Sequence, residues 1–171
     1  VQAGVFGAGI QNFRSFTGRY QCAVDLFGKN EKEENMKQLE RALTQLGISS
    51  DSSRIEKFRI YMEGILSWNK MVNLTSITDP EEFIEKHYMD SLLCVSYDEF
   101  QNSNSIIDVG TGGGFPGVPL AIAAPEKEFL LIDSLNKRIK IINELCEKAE
   151  IKNVTAIHGR AEELAKNKKY R

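Results

Sequence analysis

The sequence predicts an α/β protein in which a helical cap precedes a doubly wound parallel sheet. Three observations support this class. Helical patterns fill the first half of the chain, strand and helix patterns then alternate, and a glycine-rich loop follows the first strand. Such alternation is typical of βαβ units. We therefore divide the chain into 1–35, a helical cap at 36–101 and a sheet domain at 102–171.

The predicted cap contains three helices. Leucines at helical spacing follow Met36, and Gly47 ends this first helix. A second amphipathic helix is expected over 53–72, with Asp51 or Ser52 as its cap. The third helix begins at Asp79-Pro80, which supplies a capping carboxylate and a first-turn proline, and extends to residue 95.

The residues before the cap differ in composition from the rest. Residues 1–28 mix glycines and aromatics without a clear period, and 29–35 are almost wholly charged or polar, which we interpret as a linker. Two interpretations of 1–35 remain open: upstream or non-native sequence, or a real N-terminal extension.

The predicted sheet domain has strands at 105–109, 128–132 and 153–158. Helices at 117–124 and 135–149 connect them, and a short helix begins near Ala161. Open α/β sheets normally continue on the other side of the first strand. We therefore expect this chain to be the front part of a longer protein.

Composition excludes several classes of protein. Hydrophobic residues make up 42% of the 171 residues, enough for a soluble core, and no apolar run approaches a membrane span. The three cysteines are far apart and only two histidines are present, so neither a disulfide framework nor a metal site is expected. These features favour the cytoplasm. A net charge of −2 argues against bulk electrostatic binding of nucleic acid.

The run from Asp108 to Gly117 predicts a nucleotide-like ligand site. Its glycines fit both a dinucleotide pattern (Gly112-x-Gly114-x-x-Gly117) and an S-adenosylmethionine (AdoMet) pattern (Gly110-x-Gly112-x-Gly114). A carboxylate at Asp108 would repel a pyrophosphate and attract the cationic groups of AdoMet. Asp133 ends the second strand, where it binds ribose hydroxyls or, alternatively, caps the next helix. AdoMet is therefore favoured, and a nicotinamide oxidoreductase is the alternative.

Further motifs extend the pattern. They are Trp68-Asn69-Lys70, Asn73-Leu74-Thr75, His87-x-x-Asp90-Ser91, the glycine loop through Phe115-Pro116-Gly117, Asp133-Ser134-Leu135-x-Lys137-Arg138, and Arg160-Ala161-Glu162-Glu163. In order and spacing, residues 36–171 resemble the bacterial 16S ribosomal RNA guanine-N7 methyltransferases, the glucose-inhibited division protein B family. Residues 1–35 have no counterpart in that family. The family continues beyond the matched region, so an inactive fragment of the enzyme is a further alternative.

The resemblance implies a Rossmann-like AdoMet-dependent methyltransferase sheet whose first half is present. Gly110 and Phe115 would contact AdoMet, Asp133 its ribose, and Ala161 and Glu162 would flank the adenine. The residues expected to face 16S ribosomal RNA, within the small ribosomal subunit or its precursor, are Lys137, Arg138 and Arg160. Nothing in the sequence indicates an obligate dimer, so a monomer is expected.

No catalytic residue is predicted, because guanine N7 carries an in-plane lone pair and no proton to remove. His87 and Asp90 lie three residues apart on one predicted helix, followed by Ser91. One interpretation is a buried polar pair that fixes the cap against the loop and shapes the substrate entrance. The other is a packing histidine. Trp68 at helical spacing indicates core rather than base stacking, and His158 indicates a structural residue.

Overall fold

The computed structural model describes residues 29–166. The cap contains α1 (Lys29–Gln45), α2 (Ser52–Asn69), α3 (Pro80–Phe83), α4 (Asp90–Leu92) and α5 (Asp98–Asn102). A π-helical segment (Ile84–Met89) joins α3 to α4, and a 3-10 segment (Leu93–Ser96) follows α4. The predicted third helix is therefore present, but its hydrogen-bonding pattern changes along its length.

Two predicted helix starts are confirmed by their caps. The Asp51 carboxylate accepts a hydrogen bond from the Arg54 backbone N–H at 2.9 Å, at the start of α2. The Asp79 carboxylate accepts one from the Glu82 N–H at 2.9 Å, at the start of α3. Each side chain satisfies a backbone donor that the first helical turn leaves without an intrahelical partner.

The interpretation of 29–35 as a linker is wrong, because α1 begins at Lys29. This run is rich in Lys and Glu, which are good helix formers, so its polarity does not prevent helix formation. Residues 1–28 lie outside the described part of the chain, so neither interpretation of the N-terminal extension is tested by the structure.

Within residues 29–166 the sheet has three parallel strands in the order β1 (Ser105–Val109), β2 (Glu128–Asp133), β3 (Val154–His158). Helix α6 (Gly117–Ala123) connects β1 to β2, α7 (Asn136–Lys148) connects β2 to β3, and α8 (Ala161–Leu164) follows β3. The α/β class is thereby confirmed, with strand bounds within one residue of those predicted.

Helix α2 connects the cap to the sheet domain, because it packs against both α6 and α7. Its residues Phe58, Tyr61 and Ile65 are fully buried. One face of β1 is not covered by residues 29–166, since its side chains Ile107 and Val109 are 58% and 60% exposed. In the described range, every helix is too short or too polar to cross a membrane.

Candidate functional site

The glycine loop lies at the carboxyl edge of the sheet, where the connections after all three strands meet. The Gly110 and Thr111 N–H groups donate to the Ile132 carbonyl at the end of β2, at 2.8 and 3.1 Å. The Gly159 N–H, after β3, donates to the Asp133 carbonyl at 3.1 Å. Ligands of open α/β sheets bind at this edge. The loop is therefore held against the position where a nucleotide would be bound.

Glycine is required in this loop by backbone conformation and by space. Gly110, Gly112 and Gly114 have φ angles of 80°, 60° and 90°, in the left-handed region that other residues rarely adopt. Gly114 also faces a close neighbour, because a Cβ there would lie 2.2 Å from the Tyr61 hydroxyl oxygen. Apart from its two chain neighbours, no atom of residues 29–166 would lie within 4 Å of a Cβ at Gly110, so the described part of the chain leaves open space at the start of the loop.

Asp108 lies beneath the loop and connects its two ends. Its Oδ2 atom accepts hydrogen bonds from the Thr111 hydroxyl at 2.6 Å and from the Gly117 N–H at 3.0 Å. Burial raises the pKa of the Asp108 carboxyl, and these two hydrogen bonds oppose that shift. With only 9% of its surface exposed, Asp108 stabilises the loop from below. Its predicted attraction for a cationic ligand stays a prediction.

Asp133 joins the loop to the end of β2. Its Oδ2 accepts from the Gly112 N–H at 3.0 Å, and its Oδ1 accepts from the Leu135 N–H at 2.8 Å. Arg138 forms a longer ion pair with Oδ2, at 3.4 Å. The N-cap residue of α7 is Leu135, and among the described residues no side chain forms a capping hydrogen bond with that helix. Asp133 is therefore not the helix cap that was the alternative interpretation.

Two residues of the cap contact the loop directly. Tyr61 of α2 donates its hydroxyl proton to the Gly113 carbonyl at 2.9 Å, and burial raises the pKa of Tyr61 well above its usual value. The Phe115 ring stacks on the His87 ring, with centroids 4.3 Å apart and planes 9° from parallel. The glycine loop thus rests on side chains from two separate cap helices.

His87 is held by Thr75 rather than by Asp90. Its Nε2 lies 2.7 Å from the Thr75 hydroxyl oxygen, and Asn69 Oδ1 accepts from the Leu74 and Thr75 N–H groups. Burial lowers the pKa of His87, and the charges of Asp90 and Glu82 oppose this change. Asp90 is exposed, so the interpretation as a buried His87–Asp90 pair is wrong. The contact with Phe115 nevertheless places His87 between cap and loop.

The remaining predicted residues differ in burial. Ser91 is buried and donates to the His87 carbonyl at 2.5 Å. Lys137, Arg160 and Glu162 are exposed, whereas Ala161 is half-buried in α8. His158 is exposed, and its Nε2 lies 3.1 Å from the Ser134 carbonyl oxygen, a contact that fits a structural residue.

Three contributors to the site were not singled out from the sequence. Asn69 and Thr75 lie within the quoted motifs, but Asn69 accepts from N–H groups five and six residues further on, a longer reach than that of a standard side-chain turn. Tyr61 gave no signal either, because an aromatic residue on an apolar helix face indicates only core. Only the fold shows that its hydroxyl reaches the loop.

A cavity of about 490 Å³ lies at the other edge of the sheet, beside the amino ends of the strands. Arg54 and Lys57 line it, but they donate to the Ile122 and Glu150 carbonyls, so backbone atoms already engage both cations. Among residues 29–166, no three acidic, histidine or cysteine side chains cluster as metal ligands. The glycine loop therefore remains the candidate site.

Comparison with known proteins assigns the family. Residues 54–171 match the family model described as GidB, rRNA small subunit methyltransferase G. Proteins named ribosomal RNA small subunit methyltransferase G are similar. That of Lachnoclostridium phytofermentans is 44% identical over 131 residues, 77% of this chain and 54% of the relative. That of Clostridium botulinum strain Eklund 17B is 46% identical over 131 residues, 77% of this chain and 55% of the relative. The chain thus spans about half the length of these relatives. It belongs to the GidB family.

Proposed function

We propose that this chain carries the cofactor-binding half of an AdoMet-dependent methyltransferase that modifies N7 of a guanine in 16S ribosomal RNA. The observation that carries the proposal is the Asp133 carboxylate at the end of β2, bonded to the glycine loop through Gly112 at 3.0 Å. An acid in this position, beside a glycine loop, is suited to ribose hydroxyls. The family assignment supports a ribosomal RNA substrate.

The residues present fit AdoMet. A Cβ at Gly110 would enter open space, so the backbone there can approach a ligand closely. The carboxylates of Asp108 and Asp133 lie below and beside the loop, and a negative pair suits a ligand that carries ammonium and sulfonium charges. The Asp108 carboxylate disfavours the pyrophosphate of a nicotinamide dinucleotide, whereas an acid at the position of Asp133 suits the ribose of either ligand. Family membership agrees with this preference.

In this mechanism AdoMet supplies the electrophilic methyl group. Guanine N7 would attack the methyl carbon through its own lone pair while the bond from that carbon to sulfur breaks, so this chain needs no general base and His87 is not assigned as one. The protein instead holds the two reactants in line, which is worth roughly 7–11 kcal/mol for well-oriented groups. We assign the ribose to Asp133, the adenine to Ala161 and Glu162, and the methionine end to Gly110 and Phe115.

RNA contact is assigned to exposed cations at the carboxyl edge. Lys137 at the start of α7 and Arg160 after β3 are both exposed there. Phosphate contacts from such residues would set the position of the RNA without selecting a base. Small-subunit RNA, assembled or as precursor, is the proposed partner.

Calorimetric titration of AdoMet and NAD into this chain tests the ligand. We expect AdoMet to bind and NAD to fail. Asp108→Ala should abolish AdoMet binding, and retained micromolar affinity would contradict our view of that residue. Asp98→Ala is the control, because Asp98 is an exposed acid in α5, which precedes the amino end of β1, whereas the loop follows the carboxyl end of that strand.

Transfer itself is tested with small ribosomal subunits and methyl-labelled AdoMet. The expected product is 7-methylguanine in 16S RNA, recognised by chain scission after borohydride and aniline treatment. Label on another base, or on another atom of guanine, would refute the N7 assignment. AdoMet binding without transfer would show that this chain is an inactive fragment of the enzyme.

A further inference from the structure

The hydrogen-bonding capacity of the Asp133 carboxylate is nearly filled by the protein. Oδ2 accepts from the Gly112 N–H at 3.0 Å and pairs with Arg138 Nη1 at 3.4 Å. Oδ1 accepts from the Leu135 N–H at 2.8 Å. Because each carboxylate oxygen has two lone pairs, Oδ2 is saturated and Oδ1 has one position left.

A ribose that donates both of its hydroxyls to Asp133 needs one more position than the carboxylate offers. One of the three present donors must therefore leave. The Gly112 and Leu135 donors are backbone groups, each within 3.0 Å of its acceptor. Arg138 makes the longest contact, and its side chain is 31% exposed. It is consequently the donor that is displaced most easily.

We propose that Arg138 competes with the cofactor ribose for Asp133 Oδ2, and that an RNA phosphate relieves this competition by drawing the guanidinium away. This inference rests on the proposed function. A guanidinium matches the geometry of a phosphate and binds it with two parallel hydrogen bonds. Arg138 follows the exposed Lys137, so a phosphate that approaches the start of α7 lies within reach of both cations. RNA and AdoMet would then bind cooperatively.

Removal of Arg138 should tighten the binding of AdoMet in the absence of RNA. It frees one acceptor position on Oδ2, and Asp133 keeps its two backbone donors. It also removes a positive charge near a cationic ligand. Loss of a partly exposed ion pair of this kind corresponds to a gain in affinity for AdoMet of up to about fivefold. Removal of a residue that merely supported the site would instead weaken the binding of AdoMet.

The experiment is calorimetric titration of AdoMet into wild-type chain, Arg138→Ala and Arg138→Met. The methionine variant keeps an unbranched apolar stem, so packing is retained if the alanine variant folds poorly. Arg41→Ala is the control, because Arg41 is an exposed arginine in an ion pair with Glu34 at 3.9 Å, on α1. We expect both Arg138 variants to bind AdoMet more tightly than wild type, and the Arg41→Ala control to bind it as wild type does. A transcript of 16S RNA should tighten AdoMet binding by wild type but not by the variants.

The outcomes separate this inference from the proposed function. Equal or weaker AdoMet binding by both Arg138 variants overturns the competition. An RNA effect of equal size in wild type and variants, or no RNA effect at all, overturns the coupling. Failure of every protein to bind AdoMet refutes the proposed function, and this inference falls with it.

Discussion

Replacement of Gly114 by alanine should be far more damaging than replacement of Gly112, although both glycines lie in the same loop. At Gly114 the backbone has a φ of 90°, and a Cβ would lie 2.2 Å from Tyr61 Oη and 2.8 Å from Val118 Cγ2. Tyr61 is fully buried and its hydroxyl donates to the Gly113 carbonyl, so the ring cannot move away without loss of that bond. At Gly112 the nearest atom would be 3.9 Å away.

The expected cost follows from two contributions. A left-handed backbone costs an L-residue roughly 1–2 kcal/mol, which applies to both variants. Overpacking of a filled interior costs roughly 1–3 kcal/mol more, which applies to Gly114→Ala alone. The expected losses are therefore about 2–5 kcal/mol for Gly114→Ala and about 1–2 kcal/mol for Gly112→Ala. Since small domains have only about 5–15 kcal/mol of stability, the difference is readily measured.

Urea unfolding provides the assay, because the single tryptophan, Trp68, lies half-buried at the end of α2 and serves as a fluorescent probe. A double-mutant cycle with Tyr61→Phe identifies the clash. Loss of the hydroxyl removes the 2.2 Å contact and leaves the ring carbon Cζ at 3.2 Å. Gly114→Ala should therefore cost less in the phenylalanine background. Equal costs for the two glycine variants, or strictly additive effects in the cycle, would refute this argument.

Three further changes should alter stability. Asn153→Ala should lower the free energy of unfolding by about 1–3 kcal/mol, because Nδ2 donates to the carbonyls of Ala121, Ala124 and Lys127 at 3.0, 3.3 and 2.9 Å. Asn153→Asp should lower it further, because it places a negative charge against the same carbonyls. Urea midpoints compare the two variants. Asn69→Ala should destabilise the turn that holds Thr75, whereas Asn69→Asp keeps an acceptor, and hydrogen exchange of the Leu74 and Thr75 amides reports the difference. Burial lowers the pKa of His87 below its usual value of about 6.5, so the unfolded state binds the proton more readily and stability falls as the pH drops through 6.5. His87→Gln should make the urea midpoint less dependent on pH between about 7 and 5. If the midpoint of the variant depends on pH as strongly as that of wild type, His87 does not cause the pH dependence.

The strands and the sheet helices were predictable because their signals are local. Short apolar runs such as 129–132 are bounded by turn residues, and Asp79-Pro80 combines two independent helix-start signals. The change from α- to π-helical bonding at Ile84 was not predictable, since the periodicity of apolar residues does not report which carbonyl each N–H selects. The start of α1 was not predicted either. The charged residues at 29–35 indicate exposure to solvent, and this was interpreted as a linker rather than as an exposed helix.

The candidate site was predictable in its residues but not in their contacts. Asp108 and Asp133 were identified from their positions relative to the glycines, and both lie at the loop. Their partners depend on the tertiary arrangement. The sequence spacing of Arg138 indicates an exposed helix face, yet its side chain turns toward Asp133. The pairing of His87 with Thr75 rather than Asp90 likewise requires a turn that brings a distant segment back to the helix.

The boundary after residue 101 stays a prediction, but the contacts across it argue that cap and sheet act as one unit. The loop's Gly113 carbonyl is satisfied by Tyr61 of α2, and Phe115 is stacked on His87 of the π-helical segment. A sheet domain without the cap would expose the Phe115 ring and leave that carbonyl to water. Since the same loop is the proposed cofactor site, the cap would contribute to ligand affinity by holding the loop in position. Mutations in α2 should therefore weaken binding as well as stability.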